Sequence, residues 1–507
     1  MVKSEYLAVY RHFNLYNLPK HIIFHAIWQI IRGIMKIIGR KREIDALTMC
    51  VDSQKPEFVV IYGRRRVGKT YLVKEYFNNQ FSFYATGLSE EKTNGQLKAF
   101  NKSLIEYGCK EKKQPADWFE AFSRLKEILI SPNVYHEPVN NKIVVFLDEL
   151  PWMDTARSDF KSALDYFWNS FGSSMEDLLL IVCGSATSWI VDNLLKNRKG
   201  FHNRLTKQIH LMPFFLNECE ALLINNGMVM TRGQVIECYM TFGGIPYYLN
   251  LMDRRLSLAQ NIDEICFKEY GSLTSEYDNL FYSLFKKPEK HLAIIESLSE
   301  NKEGMTRQEL LKALKIESGS LMTKNLVELE QCGFIRKYMN FSKSKYEAYY
   351  QLTDPFVLFS LRFLKEKEHG SWMSYINTPS YNAWRGNAFE IVCLNHIPQI
   401  KRALGIFGVD TFEYAWISNN SGHGAQIDLL IDRKDGVINL CEMKFSNEPY
   451  EITLNEFKKL QNRLAVFQQE TKTGKAVHIT LISANGIRKN KYSDIAQSII
   501  NGDDLFT

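Results

Sequence analysis

The stretch "EFVVIYGRRRVGKTYLVKEYF" (residues 57–77) decides the fold of the first half of the chain. It joins an apolar, strand-like run to a helical pattern through the spacing Gly-x-x-x-x-Gly-Lys-Thr, with its glycines at Gly63 and Gly68. In such a context the backbone N–H groups of the loop and of the helix N-terminus surround phosphate groups. We expect Lys69 to reach the β and γ phosphates and Thr70 to bind Mg²⁺. The segment therefore predicts an ATP and Mg²⁺ site on an α/β fold.

A second apolar run, "NKIVVFLDELPWM" (141–153), ends in a pair of carboxylates at Asp148 and Glu149. A continuous apolar run is typical of a parallel strand that is buried on both faces. At the end of such a strand, Asp148 is expected to hold Mg²⁺ through water, and Glu149 to orient or deprotonate the attacking water. The sequence thus provides for hydrolysis of ATP as well as for binding.

A third buried run, "DLLLIVCGSATSWI" (177–190), ends near Ser185 and Thr187. One interpretation is that a hydroxyl group here senses the γ-phosphate beside the Asp148 strand. The other is that Ser or Thr caps the N-terminus of the next helix. The two roles are compatible, and the sequence leaves both open.

Residues 35 to about 270 resemble an ATPase family found mostly in archaea and gut bacteria, a branch of the AAA+ and STAND-like P-loop ATPases. Six segments carry the resemblance: "IIGRKREID" (37–45), "YGRRRVGKT" (62–70), "LDELPWM" (147–153), "CGSATSW" (183–189), "GFHNRLTKQIHLMPF" (200–214) and "FGGIPYYL" (242–249).

The resemblance implies roles for further residues. Gly39 and Arg40 would lie near the adenine, Arg204 would be aimed at the nucleotide or at a neighbouring subunit, and residues 244–246, which include Pro246, would close a helical lid over the base. The sequence departs from typical AAA+ motors because no lid-helix arginine is evident after Pro246. That departure favours a slow switch over a processive motor.

The middle of the chain predicts a winged helix-turn-helix. Residues 291–338 read as three helices, the second of which opens with the capping box Thr306 to Glu309. Residues 334–354 then alternate between apolar and polar positions as a β-hairpin does. The pattern again resembles the ATPase family, which shares it with origin-recognition ATPases.

Two interpretations of this middle region stay open. In the first, the third helix enters a DNA groove while basic residues contact phosphates: Arg336, Lys337, Lys343 and Lys345. In the second, the region packs against protein, because the third helix carries Lys324 together with Glu328 and Glu330 and so presents no basic face.

Beyond a linker predicted near 366–380, the sequence predicts an α/β unit. Its elements are a helix (382–397), three strands (411–418, 425–433 and 437–445), a helix (453–469) and a strand (476–483). The Asp435-Gly436 pair between two apolar runs predicts a hairpin turn, which places Asp428 and Glu442 on adjacent strands. Because strand side chains alternate, Glu442 and Lys444 share one face.

These charges suit phosphodiester chemistry. Asp428 and Glu442 could share a divalent metal, and Lys444 could polarise the phosphate or orient water. A helical Glu390, then Asp428, then Glu442-x-Lys444 resembles the PD-(D/E)XK nuclease superfamily, which includes Holliday-junction resolvases. That resemblance implies a further metal contact from Glu390, although residue 427 is Ile where Pro is common. Both an active nuclease and a degenerate relic fit the sequence.

Composition sets the remaining bounds. The chain has 507 residues, a net charge of +6, 45% hydrophobic and 24% charged residues, which is ordinary for a folded protein of two to four domains and excludes a disordered one. The nine cysteines form no C-x-x-C pair, which indicates reduced thiols and a cytoplasmic location. Residues 21–38 are apolar but carry Gln29, Arg32 and Lys36, so we expect no stable membrane insertion. An interfacial helix or a non-essential leader remains open there.

The predicted organisation is a leader (1–34), a parallel-sheet P-loop ATPase with a helical lid (35–275), a winged helix-turn-helix (285–365) and a C-terminal α/β restriction-endonuclease-like domain (380–507). The predicted function is an AAA+-type ATPase that binds and hydrolyses ATP with Mg²⁺ and acts on DNA through a metal-dependent nuclease-like domain, as a monomer or a homo-oligomer. The alternative is a STAND-like switch whose C-terminal domain binds a partner or nucleic acid without cleavage.

Overall fold

The computed structural model describes residues 37–185, 187–195, 204–285, 287–316, 319–341, 348–365, 370–418 and 425–507. The predicted leader at 1–34 lies outside these ranges. Within them, no helix combines the length and the apolar character needed to cross a membrane.

The first half of the chain is built on a parallel five-stranded sheet. The strands are β1 (Glu57–Tyr62), β2 (Phe83–Thr86), β3 (Ile143–Asp148), β4 (Leu178–Gly184) and β5 (Lys207–His210), in the order β2-β3-β4-β1-β5. Every neighbouring pair is parallel. All residues of β3 and β4 are buried, because helices cover both faces of the sheet. The predicted α/β fold with a parallel sheet is confirmed.

Helices surround this sheet and continue into a helical region after β5. They are α1 (Lys41–Asp52), α2 (Lys69–Tyr76), α3 (Thr93–Glu106), α4 (Trp118–Leu129), α5 (Leu150–Met153), α6 (Phe160–Ser170), α7 (Thr187–Ile190), α8 (Leu216–Asn225), α9 (Arg232–Phe242), α10 (Pro246–Leu249), α11 (Leu258–Ile262) and α12 (Glu276–Leu284). Apolar side chains of α3, α4 and α6 pack on one face of the sheet, and those of α1, α2, α8 and α9 pack on the other.

The second half contains helices α13 (Glu289–Glu300), α14 (Arg307–Ala313), α15 (Gly319–Gln331), α16 (Pro355–Phe359), α17 (Pro379–Asn395), α18 (Ile397–Ala403) and α19 (Leu454–Thr471). Its strands are β6 (Met305–Thr306), β7 (Ile335–Asn340), β8 (Ala348–Leu352), β9 (Thr411–Ile417), β10 (Gln426–Arg433), β11 (Val437–Lys444), β12 (Ala476–Ser483) and β13 (Ser498–Asn501). Short 3₁₀ or π segments cover Gly172–Ser174, Val191–Leu195, Asp263–Phe267, Ser360–Leu364, Trp372–Ser374, Ser493–Ile495 and Gly502–Phe506.

These eight strands form one mixed sheet in the order β13-β12-β11-β10-β9-β7-β8-β6. The join is a short parallel pairing of β7 with β9, in which Met339 lies beside Tyr414 and Asn340 beside Ala415. The three-helix and hairpin region therefore shares a sheet with the α/β unit that follows it. Sequence patterns predict strands one by one, and they did not reveal this pairing.

The segment expected to be a linker near 366–380 is not a free linker in its described part, residues 370–380. Trp372 is 1% exposed and packs edge-on against Phe363, with ring centroids 5.1 Å apart. The backbone N–H of Trp372 donates to Asp263 at 2.5 Å. The prediction was wrong because a polar, glycine-containing stretch can still contribute isolated aromatic anchors to a core.

Candidate functional site

The phosphate loop between β1 and α2 has the backbone geometry that its sequence predicts. Gly68 adopts φ +94° at the N-terminus of α2, and a side chain on Gly63 would meet the carbonyl oxygen of Leu211 at 2.2 Å. Lys69 is 5% exposed, and its ammonium donates to the carbonyls of Gly63 (3.0 Å) and Arg64 (2.9 Å). The ammonium thus lies over the loop, within the space where phosphates bind.

Thr70 and Asp148 lie in direct contact beside the loop. The Thr70 hydroxyl donates to Asp148 Oδ2 at 2.9 Å, although the two residues are 78 positions apart. Asp148 also accepts from the Cys183 thiol at 2.6 Å, and burial together with the Asp148 charge raises the pKa of that thiol. A hydroxyl and a carboxylate are the hard oxygen donors that Mg²⁺ prefers, so this pair fits the ion.

Glu149 is held at the end of β3 in a left-handed backbone conformation with φ +47°. Its Oε2 accepts from the backbone N–H of Ser185 at 3.2 Å and from the Ser185 hydroxyl at 3.0 Å. The structure therefore places Ser185 against the predicted general base. Thr187 lies at the start of α7, which is compatible with the helix-start interpretation.

Arg40 ties the segment before α1 to both the phosphate loop and the helical region. Its guanidinium donates to the carbonyls of Val67 (2.9 Å) and Met212 (2.6 Å), and its backbone N–H donates to Glu218 at 2.7 Å. Gly39 lies so close to Glu218 that a side chain on Gly39 would overlap it. Arg40 thus connects the phosphate loop to α8, and Gly39 lies against α8.

The predicted lid segment follows α9. Gly244 adopts φ +67°, and its carbonyl accepts from the N–H of Phe214 at 2.8 Å. Pro246 begins α10, where a residue without an N–H costs no helix hydrogen bond. The turn therefore joins α9 and α10 beside the strand-end segment at Phe214.

Two arginines within the loop make contacts that the sequence did not predict. Arg64 is 2% exposed, forms a buried ion pair with Asp354 at the start of α16, and lies 4.8 Å from the centre of the Phe334 ring. Arg66 pairs with Glu276 at 2.6 Å. The three consecutive arginines of "GRRRVGKT" are an unusual feature of the loop sequence. Their partners lie more than 200 positions away, so the sequence could not identify them.

Arg204 forms an ion pair with Asp165 on α6, within its own chain. Residues 200–203, the first four of the motif "GFHNRLTKQIHLMPF" (200–214), lie outside the described ranges.

The geometry of this site agrees with the sequence comparisons. Residues 37–252 match a family described as an ATPase domain predominantly from Archaea. This chain carries an ATPase domain of that family. An uncharacterized protein of Methanocaldococcus jannaschii is 25% identical over 406 residues, which cover 78% of this chain and 83% of that protein.

Another uncharacterized ATP-binding protein of the same organism is 40% identical over 48 residues, 10% of this chain and 81% of that protein. Among solved structures, the Walker-type ATPase of Pyrococcus abyssi has a TM-score of 0.47 at 15% identity, covering 65% of this chain and 97% of that one. The ORC2 protein of Aeropyrum pernix has a TM-score of 0.39 at 14% identity, covering 64% and 92%.

A second polar centre lies in the C-terminal half, on strands β10 and β11. Strands β10 and β11 are antiparallel with Leu429 opposite Cys441, so the expected placement of Asp428 and Glu442 on adjacent strands is observed. Lys444 donates to Glu442 Oε1 at 2.8 Å, as two residues on one strand face can. Arg463 from α19 pairs with Glu442 Oε2. Burial opposes ionisation of Glu442, but Lys444 and Arg463 hold its pKa below the ordinary value.

Glu390 from α17 joins this centre. Burial, reinforced by the charge of Asp428, raises the pKa of Glu390 to about 7, and Lys302 partly offsets the rise. Lys302 donates to Glu390 Oε1 at 2.7 Å, whereas Glu390 Oε2 is buried and finds no hydrogen-bond partner in the described part of the chain. Across that same part, no group of three or more His, Cys, Asp or Glu side chains is arranged to hold a metal ion.

One residue expected to contact DNA phosphates is turned inward. Arg336 donates through Nε to Gln351 at 2.7 Å and through Nη2 to the carbonyl of Asp428 at 3.1 Å. The expectation for Arg336 is therefore wrong in this conformation, because β7 lies inside the shared sheet and its side chain reaches the neighbouring centre. Lys337 is exposed, and Lys343 and Lys345 lie outside the described residues.

Proposed function

We propose that this chain is an ATP-hydrolysing enzyme that acts on DNA. In this proposal residues 285–365 form a winged helix-turn-helix, and residues 380–507 form a metal-dependent nuclease domain. The observation that supports the nuclease proposal is that the charges of Asp428 and Glu442 both act on the buried Glu390, with Lys444 paired to Glu442 at 2.8 Å. These four side chains come from one helix and two adjacent strands.

The ATPase domain would use its residues as follows. Lys69 would leave the carbonyls of Gly63 and Arg64 to neutralise phosphate oxygens, and Thr70 and Asp148 would hold Mg²⁺. Bound Mg²⁺ supplies positive charge to the phosphates. Glu149 would accept a proton from water, and its hydrogen bonds from Ser185 keep the carboxylate in position until substrate is bound.

In the C-terminal centre, Asp428 and Glu442 would hold a divalent metal with a further contact from Glu390, and that metal would supply Lewis acidity to the phosphodiester. Lys444 would donate to the phosphate or orient the attacking water. The carboxylates and the ammonium are the donor types that this chemistry requires.

The loop arginines support coupling between the two centres. The side chains of Arg64 and Arg66 extend from the phosphate loop and form ion pairs with Asp354 and Glu276. These two acidic residues lie at the starts of α16 and α12. The phosphate loop thereby contacts the helix that leads into the proposed winged helix and a residue near the C-terminal end of that region. A nucleotide that repositions the loop would shift these contacts.

Cleavage of supercoiled and branched DNA, with Mn²⁺ or Mg²⁺ added or withheld, tests the nuclease proposal. We expect metal-dependent cutting that Lys444→Ala abolishes. Lys458→Ala, at an exposed position on α19, is the matched control and should cut as the wild type does. Cutting that persists undiminished in Lys444→Ala would refute the assignment of the centre.

A STAND-like switch is the second candidate. It is favoured by the contact of the third helix, α15, with α7 beside the ATP site, and by the pairing of Glu328 on that helix with His291 at 2.8 Å. In this case the middle region docks on protein, and DNA affinity should vary little with salt. A nuclease that makes several phosphate contacts should instead lose affinity steeply as salt rises.

A further inference from the structure

Lys302 belongs to the proposed winged helix but reaches into the proposed nuclease centre. It lies in the turn between α13 and β6, and its ammonium donates to Glu390 Oε1 on α17 at 2.7 Å. The two residues are 88 positions apart in sequence. The shared sheet makes this contact possible because it joins the strands that follow this turn to β9 and β10.

The chain itself supplies cations to this centre. Lys302 pairs with Glu390, and Lys444 and Arg463 both pair with Glu442. Asp428 instead accepts from the Gln426 amide at 2.6 Å, and its charge acts on Lys302. Among the described residues, Lys302 is thus the cation that forms an ion pair with Glu390. An ammonium in that position competes for the carboxylates with a divalent metal.

A chain of hydrogen bonds fixes the turn that carries Lys302. The carbonyl of Lys302 accepts from Gln351 Nε2 at 2.7 Å, and Gln351 Oε1 accepts from Arg336 Nε at 2.7 Å. Arg336 in turn donates to the carbonyl of Asp428 at 3.1 Å. The position of the Lys302 backbone therefore depends on how the hairpin β7–β8 is placed relative to Asp428 on β10, with β9 between them in the sheet.

We propose that Lys302 is a built-in counter-ion that keeps the divalent metal out of the nuclease centre until the three-helix region moves. This inference rests on the proposed function, since it assigns regulation to that same centre. When Lys302 withdraws, Glu390 Oε1 is released and the unpartnered Oε2 becomes a second ligand atom. The resting conformation is then metal-poor and inactive.

Titration of nucleotide-free protein with Mn²⁺, followed by calorimetry and by electron paramagnetic resonance of free Mn²⁺, tests the proposal. We expect Lys302→Met to bind one Mn²⁺ at least about tenfold more tightly than the wild type, because a competing unit charge is removed. Lys302→Arg, which keeps the charge, and Lys312→Met, an exposed lysine on α14, should bind as weakly as the wild type. Glu390→Gln in the Lys302→Met background should remove the gain.

Equal Mn²⁺ affinity in the wild type and Lys302→Met would overturn the proposal, as would a gain that survives Glu390→Gln. DNA cleavage by the same samples reports separately on the proposed function. Tighter Mn²⁺ binding without any cutting would support the counter-ion role and refute the nuclease. If the wild type cuts DNA but Lys302→Met binds Mn²⁺ no more tightly than the wild type does, the nuclease is supported and the counter-ion role is refuted.

Discussion

Replacing Asp354 tests whether the C-terminal half stabilises the phosphate loop. The side chains of Arg64 and Asp354 are 1% and 3% exposed, and Nε and Nη2 of Arg64 have no hydrogen-bond partner among the described residues. Asp354→Asn would therefore leave a buried guanidinium without a counter-charge, a loss that costs about 3–5 kcal/mol. Asp354 also accepts from the N–H of Val357 at 2.8 Å as the N-cap of α16. Asparagine keeps that acceptor, so Asp354→Ala should cost about 1 kcal/mol more.

Urea denaturation monitored by tryptophan fluorescence would measure these losses. The double variant Arg64→Met/Asp354→Leu should recover the part of the loss that comes from the unpaired guanidinium, because replacing both members of a buried pair by apolar groups is nearly neutral. The loss of about 1 kcal/mol from the missing α16 cap should remain. A loss below about 1 kcal/mol for Asp354→Asn, the value of an exposed pair, would refute the reasoning. A double variant whose loss of stability equals the sum of the losses in the two single variants would also refute it.

Three further predictions concern the ATPase domain and its contact with the C-terminal half. Lys69→Ala should lower ATP turnover by about 10²–10³-fold, measured by phosphate release, because it removes a preorganised donor to the phosphates. Glu149→Gln should keep ATP affinity within about threefold in a binding assay while turnover falls by about 10²–10⁴-fold, since only proton transfer is lost. Burial lowers the pKa of His396 from 6.5 to about 4, and the neutral ring accepts a hydrogen bond from the Leu216 N–H at 2.9 Å. Because the unfolded chain binds this proton more readily than the folded one, the protein should lose stability as the pH falls from 6.5 towards 4. The loss reaches about 3 kcal/mol. In His396→Gln, the midpoint of urea denaturation should change less between pH 6.5 and pH 4 than it does in the wild type. A midpoint that varies with pH as in the wild type would contradict the assignment.

Local patterns predicted most of the elements. The loop spacing, the apolar runs of β3 and β4, and the Asp435-Gly436 turn each act over a few residues, so the sequence was enough to place Lys69, Asp148 and Glu442. Period-two alternation correctly placed Glu442 and Lys444 on one face.

Contacts between distant segments could not be predicted in this way. The pairing of Arg64 with Asp354 spans 290 positions, and the pairing of β7 with β9 covers two residue pairs whose side chains look like those of any strand. Arg336 shows the consequence. Its basic character suggested a phosphate contact, but the shared sheet turns it towards Gln351 and Asp428. Without that tertiary information, a surface role and a buried role look alike in sequence.

The most direct test of the central claim is whether the nucleotide controls the C-terminal centre. The measurement is the rate of Mn²⁺-dependent cutting of supercoiled plasmid by the wild type with and without ATP, beside Lys69→Ala. We predict that ATP raises the wild-type rate by about 5-fold or more, within the usual range of coupling between sites, and leaves Lys69→Ala unchanged. Equal rates with and without ATP in the wild type, or no cutting in any sample, would contradict the claim.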